Sequence, residues 1–288
     1  MSGELSLRSH AHAAGLRIDD RGFGSVAQNI MLLSELGVIR AAHIVLACNT
    51  PHRASVLSEQ VSINARCVVP AAAAPGDVVE VATQKALDVF RRSAAPFRKR
   101  HGRQPSLIVG IDTVVSVGDH ALRKPGSVGE AREMCLELAA AGTHKVTTGV
   151  ALMYGDPGGD AGTADPTHVQ TFVEETTVEL NAQAMTAPEI EAYVASGEPM
   201  DGSTPGGYRA HGLGAAFASS VVGDPLNAEH GFPLHRFLAE VDVARLRAWI
   251  EATPEERPAH VEDAALDETM APLPGIECED EGCGIPSD

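Results

Sequence analysis

The 288-residue sequence is poor in aromatic and basic side chains. Phe, Trp and Tyr make up 4% of the residues, so the core has to be built mainly from aliphatic side chains. Lys and Arg number 22 against 39 Asp and Glu, which gives a formal net charge of −17 at pH 7. Sequence-independent binding to nucleic acids depends on neutralising phosphates with Lys and Arg. We therefore expect no nucleic-acid partner, although a small phosphorylated ligand would need only a local basic pocket.

Long apolar runs and the common phosphate-binding and hydrolase motifs are also missing. No uninterrupted apolar run approaches the roughly 20 residues that a membrane-spanning helix needs, so we expect no membrane association. The P-loop pattern is absent, and Gly212 and Gly214 lack the third glycine of a dinucleotide-binding fingerprint. There is no nucleophile elbow and no His-Glu-x-x-His zinc motif. His230 and His235 do not share one helical face, and we interpret them as structural or solvated rather than metal-ligating.

The five cysteines are an odd number, and Cys48, Cys67 and Cys135 lie in apolar segments. This pattern favours reduced thiols and a cytoplasmic location over a disulfide scaffold. The remaining two, Cys278 and Cys283, lie in an acidic C-terminal stretch. They could form a redox pair or half of a metal site, or simply belong to a disordered tail.

Strand-like and helix-like segments alternate between residues 43 and 252, which predicts one α/β domain. Residues 1–42 are predicted to be an N-terminal extension with one helix-like segment, Val26–Leu36, and residues 253–288 a disordered acidic tail. We expect strands at His43–Cys48, Arg66–Pro70, Leu107–Val117, Lys145–Tyr154 and Val169–Leu180. We expect helices at His52–Gln60, Asp77–Arg92 and Leu234–Ile250, and helix starts with capping boxes at Ser127/Glu130 and Thr186/Glu189.

Arg53 lies at the junction between the first predicted strand and the following helix. Such a junction presents backbone N–H groups and the positive end of the helix dipole, which suits an anion. The guanidinium would add a fork of donors for phosphate oxygens. The simpler alternative is that Arg53 is a solvated side chain in the first turn of a helix.

Asp112 stands inside the apolar strand Leu107–Val117. A carboxylate is expensive to bury unless it is paired or holds a metal, so Asp112 is the foremost functional candidate. The alternative is an Asp that faces solvent. A hairpin after the strand would bring Lys124 near Asp112, and Lys85 lies on the helix Asp77–Arg92. One acid, two lysines and an arginine are what phosphoanhydride hydrolysis requires.

Several motifs, in order, resemble the Maf family of nucleoside triphosphate pyrophosphatases. Leu46-Ala-Cys-Asn-Thr-Pro-His-Arg53 resembles the opening Leu-Ala-Ser-x-Ser-Pro-Arg-Arg of that family, and Gly110-Ile-Asp-Thr-Val-Val115 resembles its Ala-Asp-Thr-Val-Val. The similarity continues through Gln84-Lys-Ala86, Lys124-Pro125, Gly142-Thr-His-Lys-Val-Thr-Thr-Gly149, Glu189–Pro199 and Gly231-Phe-Pro-Leu234. It extends over about residues 43–252.

The resemblance implies a fold, an activity and a site. The fold would be a single elongated α/β domain with a mixed sheet flanked by helices and a central cleft, commonly a homodimer. The partner would be a nucleoside triphosphate, cut to the monophosphate and pyrophosphate with a divalent cation, Mg, Mn or Co. Asp112 would be the proton acceptor, and Arg53, Lys85 and Lys124 would line the triphosphate site, with Cys48 and Thr50 beside them.

The departures from the family pattern bear on base preference and on activity. The positions of His52, Thr113 and His211 carry Arg, Thr and Gln in family members that act on dTTP and UTP, and Trp, Gln and Glu in those that act on 7-methyl-GTP. Only Thr113 agrees with either set, and it favours pyrimidines, whereas the segment Arg209–Gly214 is closer to the methyl-guanine group. The sequence therefore leaves pyrimidine and modified-base triphosphates open.

Two other functions remain open at this point. Cys48 replaces a Ser and His52 an Arg, and the loop at Asp201 lacks a Lys that the family carries. These losses are compatible with a catalytically weakened, nucleotide-binding or regulatory protein. A third interpretation makes the acidic tail an interaction arm on an inactive body.

Overall fold

The structure is a computed structural model, and it describes residues 35–50, 52–101, 104–155, 166, 168–200, 205–210 and 212–252. Most of the predicted N-terminal extension and the acidic tail with Cys278 and Cys283 lie outside the described residues. His211, the Asp201 loop and most of residues 155–166 lie outside them as well.

Seven strands of the described chain form one mixed sheet in the order β2-β1-β3-β5-β6-β7, with β4 also paired to β3. β1 runs parallel to β2 and β3, and the other pairs are antiparallel. The strands are β1 (Ile44–Ala47), β2 (Ala65–Val68), β3 (Leu107–Val117), β4 (His120–Leu122), β5 (Thr143–Tyr154), β6 (His168–Leu180) and β7 (Ala218–Val222). The predicted strands are thus confirmed, with shifts of a residue or two at their ends.

Helices flank this sheet, which confirms the predicted α/β class. They are α1 (His52–Val61), α2 (Val78–His101), α3 (Val128–Ala141), α4 (Ala187–Ala195), α5 (Pro225–His230), α6 (Leu234–Glu240) and α7 (Val243–Glu251). Residues 35–41 are helical too. Short 3-10 segments lie at Glu198–Met200, Pro205–Gly207 and Gly212–Phe217. Within the described residues, none of the helices combines the length and the apolar composition that crossing a membrane requires.

The helix ends follow the capping predictions only in part. Ser127 caps α3 as predicted, because its side chain accepts a hydrogen bond from the Glu130 amide. Thr186 precedes α4, but its side chain makes no capping hydrogen bond, so the prediction of a capping box at Thr186/Glu189 is wrong. The prediction of a single helix over Leu234–Ile250 is also wrong. The chain leaves α6 at Val241 in an extended conformation, and Asp242 then caps α7 by accepting from the Arg245 amide.

Two glycines bring α2 into direct contact with the sheet. A Cβ atom on Gly110 of β3 would lie 2.0 Å from the Ala82 carbonyl oxygen. A Cβ atom on Gly149 of β5 would lie 2.4 Å from the Val78 carbonyl. Because only glycine leaves room for the helix backbone at these points, α2 packs closely over β3 and β5. This close packing determines the position of Lys85, which lies on α2, relative to β3.

Candidate active site

A cleft opens where one edge of β3 changes its pairing partner. On this edge β1 pairs with β3 up to Gly110, and β4 pairs with it from Val115 onwards. Residues 111–114 lie between these two partners, and Asp112, Thr113 and Val114 line a cleft of about 490 Å³. The other edge of β3 is paired with β5 along this stretch, so the sheet holds the strand on the side away from the cleft.

Asp112 and Lys85 form an ion pair in the wall of this cleft. Lys85 Nζ lies 2.6 Å from Asp112 Oδ1 and also donates to the Ile111 carbonyl at 3.3 Å. The two side chains are 14% and 21% exposed, so the pair is partly shielded from water but open to the cleft. Among the described residues no hydrogen-bond partner is found for Asp112 Oδ2. The carboxylate is therefore oriented through one oxygen and can accept through the other.

Arg53 is the most deeply placed cation of the site. Its residue is 7% exposed, and its guanidinium donates to Thr113 Oγ1 at 2.8 Å and to the His230 carbonyl at 3.2 Å. Burial lowers the pKa of Arg53 below its ordinary value, while the negative charges of Cys48 and Asp112 act in the opposite direction. The two hydrogen bonds hold the Arg53 guanidinium in place at the end of the cleft.

Gly231, which follows α5, allows this arrangement. It adopts φ +60°, and a Cβ atom there would lie 2.6 Å from Thr113 Oγ1 and 2.7 Å from Arg53 Nη2. Thr113 Oγ1 also lies 3.0 Å from Thr148 Oγ1. The role of Gly231 was not predicted, although a left-handed glycine directly after a helix is a common helix end.

The lining of the cleft is cationic although the chain is acidic. Arg53, Lys85, Arg123 and Lys124 contribute four cations among the described lining residues, against the single carboxylate of Asp112. Arg123 was missed in the sequence, although it directly precedes Lys124 after β4. With three more cations than carboxylates among its described lining residues, the cleft suits an anion although the protein carries a net charge of −17.

The structure brings two of the remaining candidate residues to the cleft. Thr50 and Thr113 line the cleft, and so does Asn49, which was not predicted. Cys48 is fully buried behind the lining, and His52 is not part of it. His52 Nε2 lies 2.7 Å from His230 Nδ1, so these two rings pair with each other.

The described residues offer little for a metal ion on their own. They contain no group of three or more His, Cys, Asp or Glu that could hold one. Asp112 is the only acid among the described residues that line the cleft. Mg²⁺ is commonly bound through one or two carboxylates together with substrate phosphates and water. Among the described lining residues, the carboxylate of Asp112 is thus the one side chain that suits such an ion, which would enter together with a phosphate ligand.

Comparison with known proteins gives consistent matches. The sequence profile described as "Maf-like protein" matches residues 43–243. A Homo sapiens protein described as probable bifunctional dTTP/UTP pyrophosphatase/methyltransferase is 33% identical over 229 residues, which cover 74% of this chain and 34% of the human protein. A Bacillus cereus dTTP/UTP pyrophosphatase is 33% identical over 205 residues, which cover 69% of this chain and 93% of that protein.

The alignment thus spans about a third of the human relative and nearly all of the bacterial one. A solved nucleoside-triphosphatase / dITP/XTP pyrophosphatase from Mycobacterium abscessus aligns with 49% of this chain and 75% of its own, at 11% identity and a TM-score of 0.27, too low to support an argument. The profile match over residues 43–243 and the identity to the bacterial relative are sufficient by themselves. The chain belongs to the Maf-like protein family.

Proposed function

We propose that this protein hydrolyses a pyrimidine nucleoside triphosphate to the monophosphate and pyrophosphate. The observation that carries the proposal is the Asp112 carboxylate, held by Lys85 in the wall of a cleft that is otherwise lined by cations. Cleavage of a phosphoanhydride develops negative charge on the phosphate oxygens, and prearranged cations stabilise that charge.

Each side chain has a distinct task in this proposal. Arg53, Lys85 and Lys124 bind the triphosphate oxygens, and Arg123 adds a fourth charge at the cleft. Asp112 accepts a proton from the water that attacks the α-phosphorus. The new P–O bond forms to that water, and the bond to the oxygen that bridges the α- and β-phosphorus breaks, with pyrophosphate leaving. A divalent cation bound with the substrate would supply further charge neutralisation for the phosphates.

The preference for pyrimidines has two supports. Relatives at about one-third identity are described as dTTP/UTP pyrophosphatases. Thr113, the residue at which the family's pyrimidine-specific members agree with this chain, lies in the cleft and is fixed by Arg53. The apolar and small lining residues between β2 and α2 leave room for a base; they are Ala73, Ala74, Pro75 and Gly76.

The proposal also covers the divalent cation, the location of the protein and its oligomeric state. The divalent cation would be Mg, Mn or Co. The cytoplasmic location is supported by the three free thiols of the described residues, Cys48, Cys67 and Cys135. A homodimer is proposed from the resemblance to the Maf family alone. Light scattering on the full chain decides the oligomeric state.

A substrate panel tests the proposal. Purified full-length protein is incubated with UTP, dTTP, CTP, GTP and 7-methyl-GTP in the presence of Mg²⁺ or Mn²⁺, and the phosphate products are identified. We expect pyrophosphate and a monophosphate, with the highest kcat/KM for UTP or dTTP. Release of orthophosphate would contradict the reaction type. Nucleotide binding in calorimetry without turnover under any of these cations would favour the regulatory interpretation instead.

A further inference from the structure

Two cysteines that the proposed hydrolysis does not use lie side by side behind the cleft. Cys48 directly follows β1, and Cys67 lies on the neighbouring parallel strand β2. Their Sγ atoms are 3.3 Å apart. The Cys48 amide donates to the Val68 carbonyl at 3.2 Å, so the backbone holds the two residues against each other. Cys48 is fully buried and Cys67 is partly exposed, which leaves one side of the pair accessible to small solutes.

The two sulfur atoms have different proton affinities. The hydrogen bond from Cys67 lowers the pKa of Cys48 to about 6, against the effect of burial and with help from the positive charges of Arg53 and Lys85. The same contact raises the pKa of Cys67 above its usual range. A thiolate beside a protonated thiol is the arrangement that peroxide oxidation and disulfide formation require. Cys135 differs, because burial alone raises its pKa to about 11.

We propose that Cys48 and Cys67 are a peroxide-oxidisable pair, and that their disulfide weakens substrate use in the neighbouring cleft. In the first step the Cys48 thiolate attacks hydrogen peroxide. An S–O bond forms, the O–O bond breaks and one oxygen leaves as water after taking up a proton. In the second step the Cys67 sulfur attacks the Cys48 sulfenic acid. The S–S bond forms, the S–O bond breaks and hydroxide leaves as water with the Cys67 proton. Two thiols are oxidised and one peroxide is reduced to two waters.

The disulfide acts on the cleft through the backbone that follows Cys48. A disulfide bond is about 2.05 Å long, so the sulfur atoms must approach each other by more than 1 Å. Asn49 and Thr50, the next two residues, line the cleft. The Arg53 amide donates to the Thr50 carbonyl at 3.1 Å, which connects this loop to the first turn of α1. Side-chain rotation takes up part of this approach and the backbone takes up the rest. We expect a shift of a fraction of an ångström in residues that position substrate to lower kcat/KM by about tenfold.

The chemical part of the proposal is tested by mass spectrometry of the full chain. The protein carries Cys278→Ser and Cys283→Ser to remove the tail thiols, is reduced, and is then treated with hydrogen peroxide. We expect a mass loss of two hydrogen atoms and a peptide that links Cys48 to Cys67. The Cys67→Ser variant should form no link and should instead gain the mass of one oxygen atom at Cys48. Absence of the linked peptide from the peroxide-treated protein would overturn the proposal.

The effect on the cleft rests on the pyrophosphatase activity proposed above, and it is measured separately. The kcat/KM for UTP should fall by about tenfold in the oxidised protein and recover after reduction with dithiothreitol. Cys67→Ser should be insensitive to the same treatment, and Cys135→Ser should respond as the parent does. An unchanged kcat/KM in protein with the mapped disulfide would refute the regulatory part. Lack of turnover in the reduced protein would refute the proposed function, while the peptide map still decides whether the pair is oxidised.

Discussion

Replacing Gly110 with alanine should separate Lys85 on α2 from Asp112 on β3. The new Cβ atom would lie 2.0 Å from the Ala82 carbonyl oxygen and 2.8 Å from Ala86 Cβ. Both contacts are far inside the usual separation of about 3.5 Å, so α2 must move away from β3 by about 1 Å or more. Lys85 lies between Ala82 and Ala86 on this helix and reaches Asp112 at 2.6 Å. The Gly110→Ala variant should therefore lose its ion pair while both charged residues remain.

Two magnitudes follow from this displacement. Overpacking a close helix–sheet contact costs about 1–3 kcal/mol of unfolding free energy. Misplacement of a catalytic group by about 1 Å costs roughly 100-fold in kcat/KM. Urea unfolding followed by tryptophan fluorescence measures the first quantity, since Trp249 is buried in the described structure. Steady-state hydrolysis of UTP with pyrophosphate detection measures the second.

Gly37 provides the matched control. It lies in the helical residues 35–41, and an added Cβ atom would meet no atom within 4 Å. Gly37→Ala should leave kcat/KM unchanged and stabilise the protein by about 0.5–1 kcal/mol. A Gly110→Ala variant that unfolds at the urea concentration of the parent and retains its activity would contradict the close packing of α2 against β3.

Three further predictions concern pH, helix capping and charge. Burial lowers the pKa of His144 to about 4 against roughly 6.5 in an unfolded chain, so acid protonates the unfolded state first. The contribution of His144 to the free energy of unfolding should be fully present above pH 6.5 and should fall by roughly 2 kcal/mol by pH 5. His144→Gln should flatten this pH dependence in urea unfolding. Asp242→Ala removes the cap of α7 and should cost about 1 kcal/mol, whereas Asp119→Ala in the exposed turn should cost nothing measurable. Arg123→Gln should raise KM for UTP roughly threefold and weaken its dependence on salt, and an unchanged KM would remove Arg123 from the binding site.

Local patterns determined how much of the fold could be predicted. The strand β3 has the predicted bounds, Leu107–Val117, because a long β-branched run between turn signals has few alternatives. The position of Asp112 in that run identified it as a candidate before any geometry was known. The break between α6 and α7 was missed because apolar spacing continues across Val241. Only the cap that Asp242 provides distinguishes two helices from one.

Long-range contacts determined what could not be predicted. The partners of Arg53 are Thr113 and the backbone of His230, which are distant in sequence and meet only because β3 and α5 converge beside α1. The cleft itself depends on a change of strand partner along one edge of β3, and no pattern within a single segment encodes such a change. The contact between Cys48 and Cys67 depends in the same way on the parallel pairing of β1 with β2.

The most direct test of the central claim is the rate of pyrophosphate release from UTP by Asp112→Asn. Asparagine preserves the size of the side chain but cannot take up the proton of the attacking water. If Asp112 is the proton acceptor of the cleft, kcat should fall by about 100-fold or more while UTP still binds, and Asp119→Asn should match the parent. A variant Asp112→Asn that releases pyrophosphate at the parental rate would contradict the account.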